Sequence, residues 1–181
     1  MTLTDEIFQL FEVRGAGAYF GERVSVTEHA LQAAHFAQAA GAPPALVLAA
    51  LLHDVGHLVV DVPDDLAEWT HDDRHEETGA DWLALRFPVE VSGPVRLHVS
   101  AKRYLCATDP RYIGKLSAAS VVTLKLQGGP MSPAEVARFE SQPFHRDAVA
   151  VRRCDDQGKV PGLVPALIQD YRPLIEAMAT R

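Results

Sequence analysis

The chain has 181 residues, 48% of them hydrophobic, with a formal net charge of -7. That length is enough to bury a full core, and an acidic balance with no Lys/Arg block points away from nucleic acid or a membrane surface as partner. Cys106 and Cys154 make no disulfide framework, the N-terminal stretch carries Asp5 and Glu6 without a basic region, and no apolar run reaches a membrane span; the expectation is one domain over residues 1–181, cytoplasmic, with no signal peptide.

In chain order the first helix covers residues 3–13, with Ile7, Leu10 and Phe11 on one side, and Arg14-Gly15-Ala16-Gly17 ends it. Tyr19-Phe20-Gly21-Glu22 is a loop with an aromatic and a carboxylate. Ser25-x-x-Glu28 is a capping box that starts a helix running to about Ala40. Gly41 and Pro43-Pro44 separate it from a buried apolar helix, Ala45 to Leu52, which ends in His53-Asp54. Residues 58–70 read as loop. A helix begins near Asp72 or Asp73 and runs through Trp82 to Leu85, and Pro88 stops it. Ser92-Gly93-Pro94 places Pro near the first turn of the next helix. A turn at Thr108-Asp109-Pro110 leads to a short helix from Ser117 to Leu126, closed by Gly128-Gly129-Pro130. Ser132-Pro133-x-Glu135 caps another helix. His145 to Gln157 is helical, and the last helix covers Leu163 to Thr180. No stretch reads as a sheet, so the predicted class is all-α.

His53-Asp54, with His57 four residues after the first, puts strong metal ligands at the rim of a core. Imidazole and carboxylate suit cations such as Fe, Mn, Zn or Mg. Adjacent residues of a helix point about 100° apart, so His53 and Asp54 can share one ion or hold two. Further candidate ligands lie on separate predicted helices: His29, His75, His98 and Asp155, with Asp156 an open alternative to Asp155. Four His and two Asp exceed the roughly three protein ligands that one catalytic ion takes, so they suit two ions, with Asp54 as the natural bridge. A lone His on an amphipathic helix is most often structural, and that reading is kept for His35, His71 and His145.

The order His29, His53-Asp54, Asp155 resembles the HD-domain superfamily of all-α, metal-dependent enzymes, and His75 with His98 resembles its dinuclear branch. The likeness extends from Tyr19 to Lys159. It includes Tyr19-Phe20-Gly21-Glu22, His53-Asp54-Val55-Gly56-His57, His98-Val99-Ser100-Ala101-Lys102-Arg103-Tyr104-Leu105, Ala107-Thr108-Asp109-Pro110, Leu126-Gln127-Gly128-Gly129-Pro130-Met131 and Arg152-Arg153-Cys154-Asp155-Asp156-Gln157-Gly158-Lys159. These segments are similar to those of the HD-type organophosphonate oxygenases, distant relatives of myo-inositol oxygenase.

The resemblance implies an HD-domain helical bundle holding two irons, Fe(II)/Fe(III), with His29, His53, Asp54, His75, His98 and Asp155 as ligands. Asp155 rather than Asp156 matches the family position counted back from Lys159. It implies O2 as co-substrate and cleavage of the carbon–phosphorus bond of a 1-hydroxy-2-(amino or trimethylammonio)ethylphosphonate, giving glycine or glycine betaine plus phosphate. Tyr19 and Glu22 take the part of a gate, Glu22 facing the substrate's nitrogen end, while His57, Lys102, Ser120 and Arg152 hold the phosphonate. Arg offers a planar fork and Lys a point charge to such an anion. The competing expectation is an HD-type phosphohydrolase acting on a nucleotide or phosphodiester, in which the same ligands hold two divalent ions that activate water. A binding module that has lost its chemistry is the non-enzymatic alternative.

Overall fold

The structure, a computed structural model, describes residues 1–19, 21–60 and 72–180. Among these residues the chain is all helical, as expected, and its one bridge pairs Ala18 with Ser25. The helices are α1 (Leu3–Arg14), α2 (Val26–Ala39), α3 (Pro44–Leu52), α4 (Val55–Val59), α5 (His75–Ala84), α6 (Val89–Thr108), α7 (Ala118–Leu126), α8 (Pro133–Glu140), α9 (His145–Gln157) and α10 (Arg172–Met178). Short 3-10 turns at Ile113–Lys115 and Ile168–Tyr171 link the later ones.

The capping signals act where they were read. Ser25 and Ser132 each accept from the backbone N–H three residues on, and Glu28 and Glu135 return the bond, so orphan donors at both helix starts are satisfied. Helix α3 is apolar on every side, and Val47 to Leu52 are all buried. Such a helix has to be wrapped, and α2, α6 and α9 pack around it. Ile7, Leu48, Leu51, Leu58, Leu83, Phe87 and Ile175 fill the core beside it.

Several expectations are corrected. Leu58 and Val59 belong to helix α4 rather than to a loop; the remainder of that predicted loop, with Asp61 to Asp65 and His71, lies outside the described residues. Helix α5 starts at His75, after Arg74 takes a left-handed conformation (φ 53°). Pro94 sits inside α6, which begins at Val89 directly after Pro88. Proline is tolerated there at the cost of one backbone bond. The last predicted helix starts late: residues 163–167, which include Pro165, are not helical, and helix begins only at Ile168–Tyr171 and Arg172–Met178, with Pro173 in the first turn of α10.

His53 and Asp54 do not lie on one continuous helix. His53 closes α3 and Asp54 precedes α4, with φ -101° and ψ 13°. This break turns the chain so that Asp54 faces the centre of the bundle. Gly56 then lets α4 meet α5: a Cβ there would lie 2.1 Å from the His75 carbonyl oxygen. The glycine of His-Asp-Val-Gly-His is therefore a contact point that brings His57 and His75 side by side.

Candidate dinuclear metal centre

The structure brings the six candidate ligands together in two triads. His29 on α2, His53 at the end of α3 and Asp155 on α9 form one, and Asp54, His75 and His98 form the other. All six are buried. Asp54 stands between them. Its Oδ2 lies 3.6 Å from His29 Nε2 and 3.3 Å from His53 Nε2, and its Oδ1 lies 3.3 Å from His75 Nε2 and 3.5 Å from His98 Nε2. One carboxylate oxygen therefore addresses each triad. Asp155 Oδ1 is 3.5 Å from His29 Nε2, whereas Asp156 turns to Arg152 and Tyr112.

Hydrogen bonding on the far side of each ring shows what these groups fit. His29 Nδ1 is 2.9 Å from the Gly158 carbonyl oxygen, His53 Nδ1 2.9 Å from that of Ala50, and His98 Nδ1 2.7 Å from that of Val95. His75 Nδ1 is 2.9 Å from Asp73 Oδ1. Carbonyls and carboxylates only accept, so each Nδ1 carries the proton and each Nε2 presents a lone pair. Those lone pairs meet head on, His29 to His53 at 3.1 Å and His75 to His98 at 3.2 Å, with carboxylate oxygens around them. Asp155 Oδ1 is buried with no hydrogen bond. A cation in each triad resolves every one of these oppositions, and the carbonyl or carboxylate behind each ring is the usual orienting partner of a ligating histidine.

Burial and the nearby carboxylates act in opposite directions on these rings. Burial pushes His29 down to about 3 and His98 down to about 4. Burial also opposes charge on His53 and His75, but Asp54 outweighs it at His53, and Asp54 and Asp73 together outweigh it at His75, so both are raised. Within each pair one ring therefore takes a proton more readily than the other, at the Nε2 that would otherwise face a cation. Burial works against the Asp155 carboxylate as well, yet the charges of Arg152 and Lys159 hold it well below the usual carboxylate range.

A cavity of about 40 Å³ opens beside both triads. The other predicted site residues all line it: Tyr19, Glu22, His57, Lys102, Ser120 and Arg152. The Tyr19 hydroxyl donates to Asp54 Oδ2 at 2.6 Å, and its ring stacks on His29 at 3.9 Å. Burial, reinforced by Asp54 and Asp155, raises this phenol well above its ordinary value and keeps it a donor. Lys102 Nζ donates to Thr123 Oγ1 at 2.8 Å, and burial with the nearby Arg152 charge lowers it to about 7. Arg152 is engaged by the protein through all three of its nitrogens. It donates to Tyr112 at 3.0 Å and Asp155 at 2.6 Å, reaches Asp156 at close range, and comes within 3.5 Å of Ser120 Oγ.

Sequence reasoning missed Asp73, which bonds His75 and whose Oδ2 lies 3.0 Å from His57 Nδ1. It also missed Thr123 and the bond of Tyr112 to Arg152, and it used Lys159 only as a marker. Lys159 carried a legible signal, standing four residues after Asp155; Tyr112 and Asp73 reach the site through tertiary contacts that no spacing reveals. His35 and His145 stay outside the centre, His35 edge-on to Phe36 and His145 on the Gln142 carbonyl.

The HD domain family matches residues 26–109. Over 172 residues the chain is 42% identical to [1-hydroxy-2-(trimethylamino)ethyl]phosphonate dioxygenase (glycine-betaine-forming) of Leisingera caerulea, covering 95% of this chain and 88% of that protein. It is 44% identical to hydroxymethylphosphonate dioxygenase of Gimesia maris, covering 94% and 85%. It is 36% identical to an uncharacterized protein of Acanthamoeba polyphaga mimivirus, covering 93% and 78%. With its ligand-bearing helices α2 to α6 inside the matched region and phosphonate dioxygenases similar along almost its whole length, the chain belongs to the HD-domain family of phosphonate dioxygenases.

Proposed function

We propose that the chain is a dioxygenase that uses O2 to cleave the carbon–phosphorus bond of a small 1-hydroxyphosphonate, with a mixed-valent iron pair held by His29, His53, Asp54, His75, His98 and Asp155. The observation that carries this is the pair of buried triads sharing Asp54, open to one cavity lined by cationic side chains. The names of the similar proteins, one acting on a trimethylamino phosphonate and one on hydroxymethylphosphonate, support the substrate class.

An iron pair, when bound, supplies O2 activation and takes up the electrons of the substrate. The protein's part is binding, orientation and exclusion of water. Lys102 and Ser120 face the cavity as donors to a phosphonate. Arg152 fixes Asp155 and adds positive charge. Tyr19 covers the first triad through its bond to Asp54, and must leave that bond for the oxygen atoms of the substrate to approach. Glu22, in the same turn, moves with it, since its backbone N–H donates to the Tyr19 carbonyl at 2.7 Å. His57, stacked on His75 at 4.0 Å, forms the opposite wall. The overall change is balanced: a hydroxyl-bearing carbon, its phosphonate and one O2 become a carboxylate, phosphate and a proton.

The test is oxygen uptake by anaerobically iron-loaded protein given hydroxymethylphosphonate, 2-amino-1-hydroxyethylphosphonate and its N-trimethyl analogue in turn. One phosphate released per O2 consumed is expected with at least one of them. Phosphate release from nucleotides without O2, and no uptake with any phosphonate, would establish the phosphohydrolase instead.

A further inference from the structure

We propose that Gln32 is a positioning residue of the first triad: through the chain segment that follows α9, it holds the Gly158 carbonyl that orients His29. This rests on the reading of His29, His53 and Asp155 as metal ligands.

Gln32 stands one helical turn after His29 on α2, so both side chains leave the same face. It is fully buried, 0% exposed. Glutamine is mostly a surface residue, and a buried amide needs partners. Gln32 finds them far along the chain. Its Oε1 accepts from the Val160 N–H at 2.9 Å. Its Nε2 donates to the Val160 carbonyl at 2.9 Å and to the Leu163 carbonyl at 3.0 Å. The oxygen and both amide hydrogens are therefore in use, and the Val160 N–H fixes which end of the amide is the oxygen.

The segment it holds is not helical. Residues 158–163 follow α9 as turn and irregular chain. Buried backbone groups there have no helical ladder to join and need other partners. The bonds that tie Val160 and Leu163 to α2 come from the Gln32 side chain. At the other end Gly158 caps α9, its N–H donating to the Cys154 and Asp155 carbonyls. The Gly158 carbonyl lies between these two anchors and meets His29 Nδ1 at 2.9 Å. The fit against α2 is close: a Cβ at Gly158 would lie 3.0 Å from the His29 carbonyl oxygen and 3.2 Å from the Ala33 nitrogen.

Release of Val160 would free one side of the peptide that carries this carbonyl. His29 would then lose the acceptor that keeps its proton on Nδ1 and its Nε2 lone pair aimed at the ion. His53 supplies an internal contrast. Its Nδ1 bonds the Ala50 carbonyl three residues back, a local bond that needs no contact with residues 158–163.

The experiment is a zinc(II) titration of apoprotein carrying isotope-labelled histidine. The ring nitrogen signals report which triad fills, and competition with a chelator gives both affinities. Exchange of the Nδ1 protons with solvent and thermal denaturation are measured on the same samples. Gln32→Met keeps the length of the side chain and none of its hydrogen bonds. It is expected to bind zinc about 10-fold more weakly at the first triad, the low end of the loss on removing an orienting partner. The second triad should be unchanged, and the His29 Nδ1 proton should exchange faster while that of His53 does not. Gln32→Glu keeps the acceptor for Val160 and lacks both amide hydrogens; the same two readings on it decide the matter should Gln32→Met not fold. Lower thermal stability with zinc affinities and His29 exchange at wild-type values would make Gln32 a packing residue alone and overturn the assignment. Equal weakening of both triads would overturn it as well, as a general loosening. Wild-type protein that takes up fewer than two ions would instead sink the ligand reading on which the assignment stands.

Discussion

The two triads are built from similar ligands but oriented by different means. In the first, His29 and His53 are turned by the backbone carbonyls of Gly158 and Ala50, and Asp155 by the Arg152 guanidinium. Helices α2, α3 and α9, which carry these ligands, pack directly on one another. In the second, His98 is turned by the Val95 carbonyl, but His75 is turned by a side chain, Asp73, whose other oxygen faces His57. Both histidines of the first triad are thus turned by carbonyls that the fold fixes, whereas the orienter of His75 is a side chain that one substitution removes. The second triad is thus the one whose geometry is tied to the cavity wall, through Asp73 and the stacked pair His57–His75.

The largest effect is expected where the comparison collapses, at the carboxylate common to both triads. Asp54→Ala should lose at least about 1000-fold in turnover, since the metal centre supplies several kcal/mol of barrier lowering; iron content and oxygen uptake on the same preparation check it. Asp73→Asn should separate the triads. Metal affinity at the second is expected to fall about 10- to 100-fold, the usual result of removing an orienting partner, while the first keeps its ion. Titration of apoprotein with metal should then show one tight and one weak site. Equal weakening of both would remove the distinction drawn here.

A smaller effect concerns packing at the second triad. Gly56→Ala forces a methyl against the His75 backbone, where overpacking costs roughly 1–3 kcal/mol; thermal denaturation should show the drop, together with weaker binding at the second metal site. Lys102 supplies a pH signature. Its ordinary value is 10.5, lowered to about 7 by burial and the neighbouring Arg152 charge. Between those limits the unfolded chain holds a proton that the folded chain lacks, so this group's contribution to stability rises with pH across that window. A phosphonate beside Lys102 favours the ammonium, so binding near pH 8 should take up a proton at this site and weaken as pH rises. Calorimetry in buffers of different ionisation enthalpy measures the uptake, and Lys102→Arg should abolish the part due to this group. The smallest effect belongs far from both triads: Ser132→Ala removes the cap of α8 and should cost about 1 kcal/mol of stability with metal binding unchanged.

Much of this arrangement was legible locally. Ser25-x-x-Glu28 and Ser132-x-x-Glu135 mark helix starts because a cap bonds within its own turn. His53 and His98 each bond the carbonyl three residues back on the same helix, so their tautomers follow from local geometry. The cavity-lining residues became readable only through family resemblance, since Ser120 and Arg152 have no local feature that separates them from ordinary helix residues. Asp73 escaped because its value depends on where α4 meets α5. The break at Asp54 escaped because an apolar helix followed by His-Asp reads as continuous. The C-terminal stretch shows the same limit from the other side: Leu163 to Thr180 was expected as one helix, and residues 163–167, with Pro165, are not helical.

The measurement that most directly tests the shared carboxylate is anaerobic iron titration of the apoprotein, followed by electron paramagnetic resonance after partial oxidation. Two equivalents of iron bound per chain, with a signal from a magnetically coupled Fe(II)/Fe(III) pair that vanishes in Asp54→Ala, is the predicted result. A single equivalent, or two irons with no coupling between them, would contradict the assignment of Asp54 as the bridge between two metal sites.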